Sequence, residues 1–259
     1  MKFLPKGRLD AFADGVFAIV ITLLVLELSV PEGSVDIISG IIDEWPVFLA
    51  YIISFAFIGS AWITHSSLTH LMKQETPHSY RLTLLMLFFV SLIPFTTKLM
   101  ATFLGHPPPV PETIYGLDLL AAMQMLNALA RSAISTSVVI YGVNLLAATL
   151  TLVAIMRSAI STPDVLIDES AESELNALLR KEQLGAAIFV CTIIFAVFFP
   201  LIAVFGYIVV SLLFFLTPTI STIKATLQKK YPCLCRSRRK RIWYLRLLSL
   251  NRLWKLAAA

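Results

Sequence analysis

The stretch Phe12-Ala13-Asp14-Gly15-Val16-Phe17-Ala18-Ile19-Val20-Ile21-Thr22-Leu23-Leu24-Val25-Leu26-Glu27-Leu28-Ser29-Val30 is apolar except for an acid near each end. Crossing about 30 Å of hydrocarbon takes about 20 such residues in a helix, whose backbone groups all pair internally. The stretch is long enough and reads as a membrane span. It is too long for the core of a signal peptide, holds acids and lacks a small-residue cleavage site, so it is expected to stay in the mature protein.

Composition extends that reading to the whole chain. Of 259 residues, 58% are apolar and 14% charged, with a mean hydropathy of +0.82. Soluble domains carry about 45–50% apolar and about 25% charged residues, so a soluble globular enzyme is excluded. A disordered chain needs low hydrophobicity and a collagen-like one a Gly-X-Y period, and neither is present. The fold class expected is an all-α integral membrane protein.

Five further spans follow the first, which is placed at about 10–30. They cover about 46–66, 81–104, 132–156, 184–199 and 201–217. Pro46–Thr64 and Ser132–Met156 hold no charge, whereas the third span contains Pro94 and Lys98. Leu184–Thr217 is uncharged throughout and has Pro200 near its midpoint, where a missing N–H ends a helix. A tight hairpin of two short spans is expected there. Ile114–Ala130 is half apolar, with Asp118, Gln124 and Asn127, and is compatible with a seventh span or an interfacial helix. It also echoes a later segment, Ile114-Tyr115-Gly116-Leu117-Asp118-Leu119-Leu120-Ala121-Ala122 against Ile140-Tyr141-Gly142-Val143-Asn144-Leu145-Leu146-Ala147-Ala148, which reads as a local duplication lengthening the outer loop.

Cytoplasmic loops carry the excess of Lys and Arg. The N-terminus has Lys2, Lys6 and Arg8, residues 65–81 have Lys73 and Arg81, and residues 157–183 have Arg157, Arg180 and Lys181. Residues 31–45 carry Glu32, Asp36, Asp43 and Glu44 without a base, and residues 105–131 carry only Arg131 as base. Residues 218–259 form a separate basic tail with eleven Lys or Arg and no acid, so the pI of 9.2 belongs to the tail. Six spans put every basic segment on one side, with both termini cytoplasmic, and no nucleic-acid surface is implied. The cysteines, Cys191, Cys233 and Cys235, make no disulfide framework.

Ionisable groups in a membrane helix are costly and normally face protein or water. Asp14 and Glu27 stand near opposite ends of the first span, and Glu27 falls at the outer mouth. Arg8 precedes Asp14 by six residues. Trp62 and His65 share a face at the cytoplasmic end of the second span. The four residues Arg8, Asp14, Trp62 and His65 are expected as a polar cluster holding the first two spans in register. One His and one Asp are too few ligands for a metal. Ile19, Leu23 and Leu26 fall on a narrow stripe of the first helix, with Thr22 beside it. Copies of this helix around an axis would stack that stripe into apolar rings, and such a constriction gates by dewetting. Packing inside the subunit is the competing reading, because a helix apolar all round offers many such stripes.

The run from Arg8 through Asp14 to Glu27 resembles the first-helix signature of the transmembrane protein 175 family of potassium channels. Trp62-Ile63-Thr64-His65 is similar to the family's Trp-x-x-His, and Tyr141-Gly142-Val143-Asn144-Leu145-Leu146 to the start of its fourth helix. The resemblance covers residues 8–217 and leaves the tail unmatched. It implies a potassium-permeable channel without the usual filter, lined by first helices. It places the constriction at Ile19, further rings at Leu23 and Leu26, and the pore threonine at Thr22. The family's Arg, Asp, His and Trp network falls on Arg8, Asp14, His65 and Trp62. The family serine is Ala13 here, which removes one supporting hydroxyl. With a single six-span repeat the chain is expected to be a homotetramer in a prokaryotic plasma membrane.

The tail's basic cluster, followed by Trp243, Tyr244 and Leu245, reads as a surface anchor for anionic lipid. A cation- or proton-coupled secondary transporter using Asp14 or Glu27 is the alternative function, although such proteins usually show inverted repeats and broken helices at the midplane. An enzyme is not expected, since no His-Glu-x-x-His, Gly-x-Ser-x-Gly or phosphate loop occurs. No cofactor is expected beyond permeant potassium.

Overall fold

A computed structural model describes residues 6–28, 37–105, 119–162, 165–167 and 169–230, with side chains up to Leu216. The rest of the tail, including Cys233 and Cys235, and the first half of the echoed segment lie outside the described residues. Among the described residues eight helices run in chain order: α1 (Lys6–Leu26), α2 (Ile37–Asp43), α3 (Trp45–His70), α4 (Pro77–Ser91), α5 (Ile93–Gly105), α6 (Leu119–Ser161), α7 (Glu169–Phe198) and α8 (Pro200–Lys230). The chain divides into two compact units between Leu212 and Leu213.

The fold is all helical. Among the described residues the only extended pairing is an isolated bridge, Met72 to Leu166, flanked by Lys73 N–H to the Val165 carbonyl at 2.7 Å and Ile167 N–H to the Leu71 carbonyl at 3.1 Å. Five stretches are long and apolar enough to cross a membrane: Gly7–Leu26, Trp45–His70, Pro77–Gly105, Leu120–Ser161 and Ala171–Phe198. Pro200–Leu216 is a shorter apolar helix. This is a multi-pass membrane protein.

Prolines set the breaks. Pro94 lacks the N–H that would continue the helix, so the third stretch is kinked at Leu92 into α4 and α5 rather than interrupted. The α4 start is fixed by Thr76, whose hydroxyl accepts from Ser79 N–H at 3.0 Å, with Pro77 at the first helical position. Pro200 follows a single non-helical residue, Phe199. Phe199 N–H closes the last turn of α7 on the Phe195 carbonyl, and its own carbonyl accepts from Ala203 N–H to open α8. The chain turns back there, because Gly206 of α8 lies against Thr192 of α7 and Tyr207 against Phe189.

The segment 119–131 is neither a seventh span nor a separate interfacial helix. It is the first third of α6, which runs for 43 residues without a break. Nothing between Leu119 and Ser161 interrupts it, since the run contains no proline and only one glycine, Gly142. At about 1.5 Å per residue α6 is about 64 Å long, twice what a bilayer core needs.

Helix α6 packs against α7, α4 and α5, α3 against α5 and α1, and α1 also against α4. Core contacts are aromatic and close: Tyr141 meets Tyr207 edge-on at 5.6 Å between ring centroids, and Phe57 meets Phe189 at 5.9 Å. Helix α1 gives this core one face only. Leu9, Ala13, Phe17, Val20 and Leu24 are buried at helical spacing.

Candidate functional site

The other face of α1 carries the residues singled out from the sequence. Ile19 is 60% exposed, Leu23 41% and Leu26 76%, so the stripe does not pack inside the subunit. Thr22 is exposed beside it, and its hydroxyl donates to the Ile19 carbonyl at 2.8 Å, one turn back. The side chain therefore needs no partner outside its helix, while its methyl group and oxygen remain on the open face.

Two polar contacts hold α1, one in its first half and one just past its last residue. In the first, Trp62 Nε1–H donates to Asp14 Oδ1 at 2.9 Å, joining α3 to α1. His65, one turn further along α3, is buried and stacks at a tilt on Phe17, with ring centroids 6.1 Å apart. Asp14, Trp62 and His65 thus lie together where α1 meets α3. Arg8 does not join them within the subunit. It is exposed and makes no hydrogen bond or ion pair among the described residues, and its six-residue offset sets it about 9 Å from Asp14 along the helix axis.

At the other end Glu27 Oε2 lies 3.0 Å from Lys98 Nζ of α5. The acid and base that interrupted two apolar runs are therefore each other's partners. Glu27, expected at the outer mouth, thus carries a partner within its own subunit. Both acids that a coupled transporter would use are engaged, Asp14 by Trp62 and Glu27 by Lys98.

Several polar contacts behind α1 were not legible in the sequence. Ser54 of α3 shares short hydroxyl contacts with Thr97 of α5 at 2.7 Å and Tyr141 of α6 at 2.9 Å, all three buried. Asn144 donates to Thr96 at 3.3 Å in the next layer. Nearer the His65 end, Thr64 donates to the buried Glu182 of α7 at 3.2 Å. Tyr141 and Asn144 were marked only by resemblance. Ser54 and Thr97 carried no signal, because a single hydroxyl in an apolar helix usually bonds its own backbone. Among the described residues no cluster of His, Cys, Asp or Glu is arranged to hold a metal.

A helical bundle whose first helix keeps one apolar face uncovered, held to its neighbours by two polar contacts, defines the class: a multi-pass membrane protein. Residues 8–94 match the family model described as endosomal/lysosomal potassium channel TMEM175. A potassium channel of Chamaesiphon minutus is 38% identical over 49% of this chain and 65% of its own length. One from a Chryseobacterium species is 37% identical over 52% of this chain and 66% of its own length. The aligned stretch therefore spans just under two thirds of these relatives. The human endosomal/lysosomal proton channel TMEM175 is 35% identical over 40% of this chain and 23% of its own length. In three dimensions, a lysosomal potassium-selective channel TMEM175 homologue from Chamaesiphon minutus superposes with a TM-score of 0.65 at 25% identity, covering 82% of this chain and 96% of that one. Over residues 8–94 the chain is similar to the TMEM175 family, and the relatives it matches are named ion channels.

Proposed function

We propose that this chain is a potassium-permeable channel, assembled as a homotetramer around an axis lined by α1. The constriction is formed by Ile19, with Leu23 and Leu26 as further apolar rings and Thr22 between them. The observation that carries this reading is the split of α1 into a buried face and an open one. The most apolar window of α1 is 28% buried, the lowest of the five long apolar stretches, against 33% for α7, 56% for α3 and 61% for α6. A helix this poorly covered by its own subunit is completed by lipid or by copies of itself. The matched relatives are named channels, which favours copies around a pore. Six spans, the sixth being Pro200–Leu216, place both termini in the cytoplasm and the protein in a prokaryotic plasma membrane. Residues Asp14, Trp62 and His65 support the pore helix and do not bind ions, while Arg8 remains available to a neighbouring subunit. The basic tail rests on anionic lipid.

The test is ion flux in liposomes holding the purified protein, under opposed potassium and sodium gradients. Wild type is expected to pass potassium in preference to sodium. Ile19→Ala, which widens the narrowest ring, raises the current and lowers that preference. Silent membranes, or uptake that saturates with a co-transported solute, would reject the channel.

A further inference from the structure

We propose that the groove between the start of α4 and the end of α6 binds the headgroup of an anionic phospholipid. The groove, about 470 Å³ in volume, is lined by His78 of α4 and by Leu150, Val153, Arg157, Ser158 and Ser161 of α6. Its polar half lies at the helix ends. Arg157 is exposed, and neither it nor His78 has a hydrogen bond or ion pair among the described residues. Among the described residues no acid lines the cavity. The start of α4 contributes its own partial positive charge, since His78 sits in the first turn behind the Thr76 cap. An unpartnered guanidinium, an imidazole, two hydroxyls and a helix N-terminus around one opening make a site for a phosphate group.

The apolar half says what carries that phosphate. Val153 and Leu150 lie one and two turns deeper than Arg157, about 6 and about 10 Å along α6. Leu150 is 49% exposed, so the groove opens sideways onto the surface that faces acyl chains. A soluble anion would use the polar rim and leave this floor empty. A phospholipid fills both, with its phosphate on Arg157 and one chain along Leu150. Basic pockets between membrane helices on the cytoplasmic side suit anionic headgroups. The choice of the cytoplasmic leaflet rests on the topology proposed above, whereas the site itself does not. It is distinct from the basic tail, which lies in another part of the chain.

The full-length protein in detergent is titrated with phosphatidylglycerol and, separately, with phosphatidylcholine of the same acyl chains, and bound lipid is counted by native mass spectrometry. One phosphatidylglycerol per chain is expected, bound more tightly than phosphatidylcholine. Arg157→Gln weakens it about tenfold, or about 1.4 kcal/mol, while Arg157→Lys keeps most of the affinity. A tail variant, Arg238→Gln/Arg239→Gln/Lys240→Gln/Arg241→Gln, leaves this tight site unchanged. Should Arg157→Gln fail to fold, His78→Asn and Ser161→Ala carry the same test. Undiminished binding in the groove variants, loss confined to the tail variant, or equal retention of phosphatidylcholine would overturn the proposal. So would displacement by millimolar inorganic phosphate, which would make the groove a soluble-anion site. Lipid counting involves no ion flux, so a failed channel assay and a failed lipid site are read separately.

Discussion

Replacing Trp62 with Phe keeps most of the ring that packs on α1 while removing the N–H that reaches Asp14 at 2.9 Å. The bond is exposed on the subunit surface, so its loss is expected to cost about 1 kcal/mol, the middle of the range for a single hydrogen bond. Thermal unfolding of the purified protein measures it, and Asp14→Asn, which keeps an acceptor, should lose less than Asp14→Ala. Glu27 behaves differently, because its partner Lys98 is 64% exposed and such ion pairs contribute little to stability. Glu27→Gln leaves the unfolding midpoint nearly unchanged but strands a positive charge at that end of α1. Reduced potassium conductance at low salt, recovering as salt screens Lys98, is the expected reading, and Lys98→Gln should shift conductance the opposite way. The contrast between these pairs shows what single residues disclose before a structure exists. Asp14 and Trp62 were legible because both stand at the same end of neighbouring spans. The Glu27–Lys98 pair was not, since the two stand 71 positions apart and only the packing of α1 near α5 joins them.

Helix ends and crossings obey the same logic one level up. Pro200 has no N–H for the Ala196 carbonyl, and the Ser135 hydroxyl of α6 takes its place at 2.6 Å, with Val197 at 3.0 Å. The corner between α7 and α8 is thereby tied to α6. Ser135→Ala leaves that carbonyl unsatisfied, at a cost of about 1–3 kcal/mol, and hydrogen exchange at Val197–Leu201 should rise before the rest of the bundle loosens. Gly142 is where α6 passes closest to its neighbours. A Cβ there would meet the Tyr207 hydroxyl and ring and stand 2.8 Å from Ile193, and the fully buried Tyr207 has no room to withdraw. Gly142→Ala is therefore expected to destabilise the protein by more than Ser135→Ala, as small residues let membrane helices approach. Proline marked the corner in the sequence plainly. The true length of α6 was hidden, because the polar residues of 119–131 lowered its hydropathy without breaking the helix. Apolar content locates what lies in lipid, whereas only glycine, proline and caps locate where a helix stops.

For the molecule as a whole, the unresolved balance is between lipid and self-association for the open face of α1. Area alone does not decide it, since lipid tails are as apolar as Leu and no hydrophobic force draws membrane helices together. Cross-linking distinguishes the two. A fourfold pore brings the Ile19 side chains of neighbouring subunits toward one axis, where cysteines at that position can meet and pair. A lipid-facing stripe keeps them far apart. In a chain with Cys191, Cys233 and Cys235 replaced by Ser, mild oxidation of Ile19→Cys and of Leu23→Cys should therefore give covalent dimers. Val25→Cys is the matched control, because Val25 is 50% exposed but lies well off the stripe. Equal cross-linking at all three positions would mean random collision, and none at Ile19 or Leu23 would turn the stripe toward lipid and remove α1 from the pore.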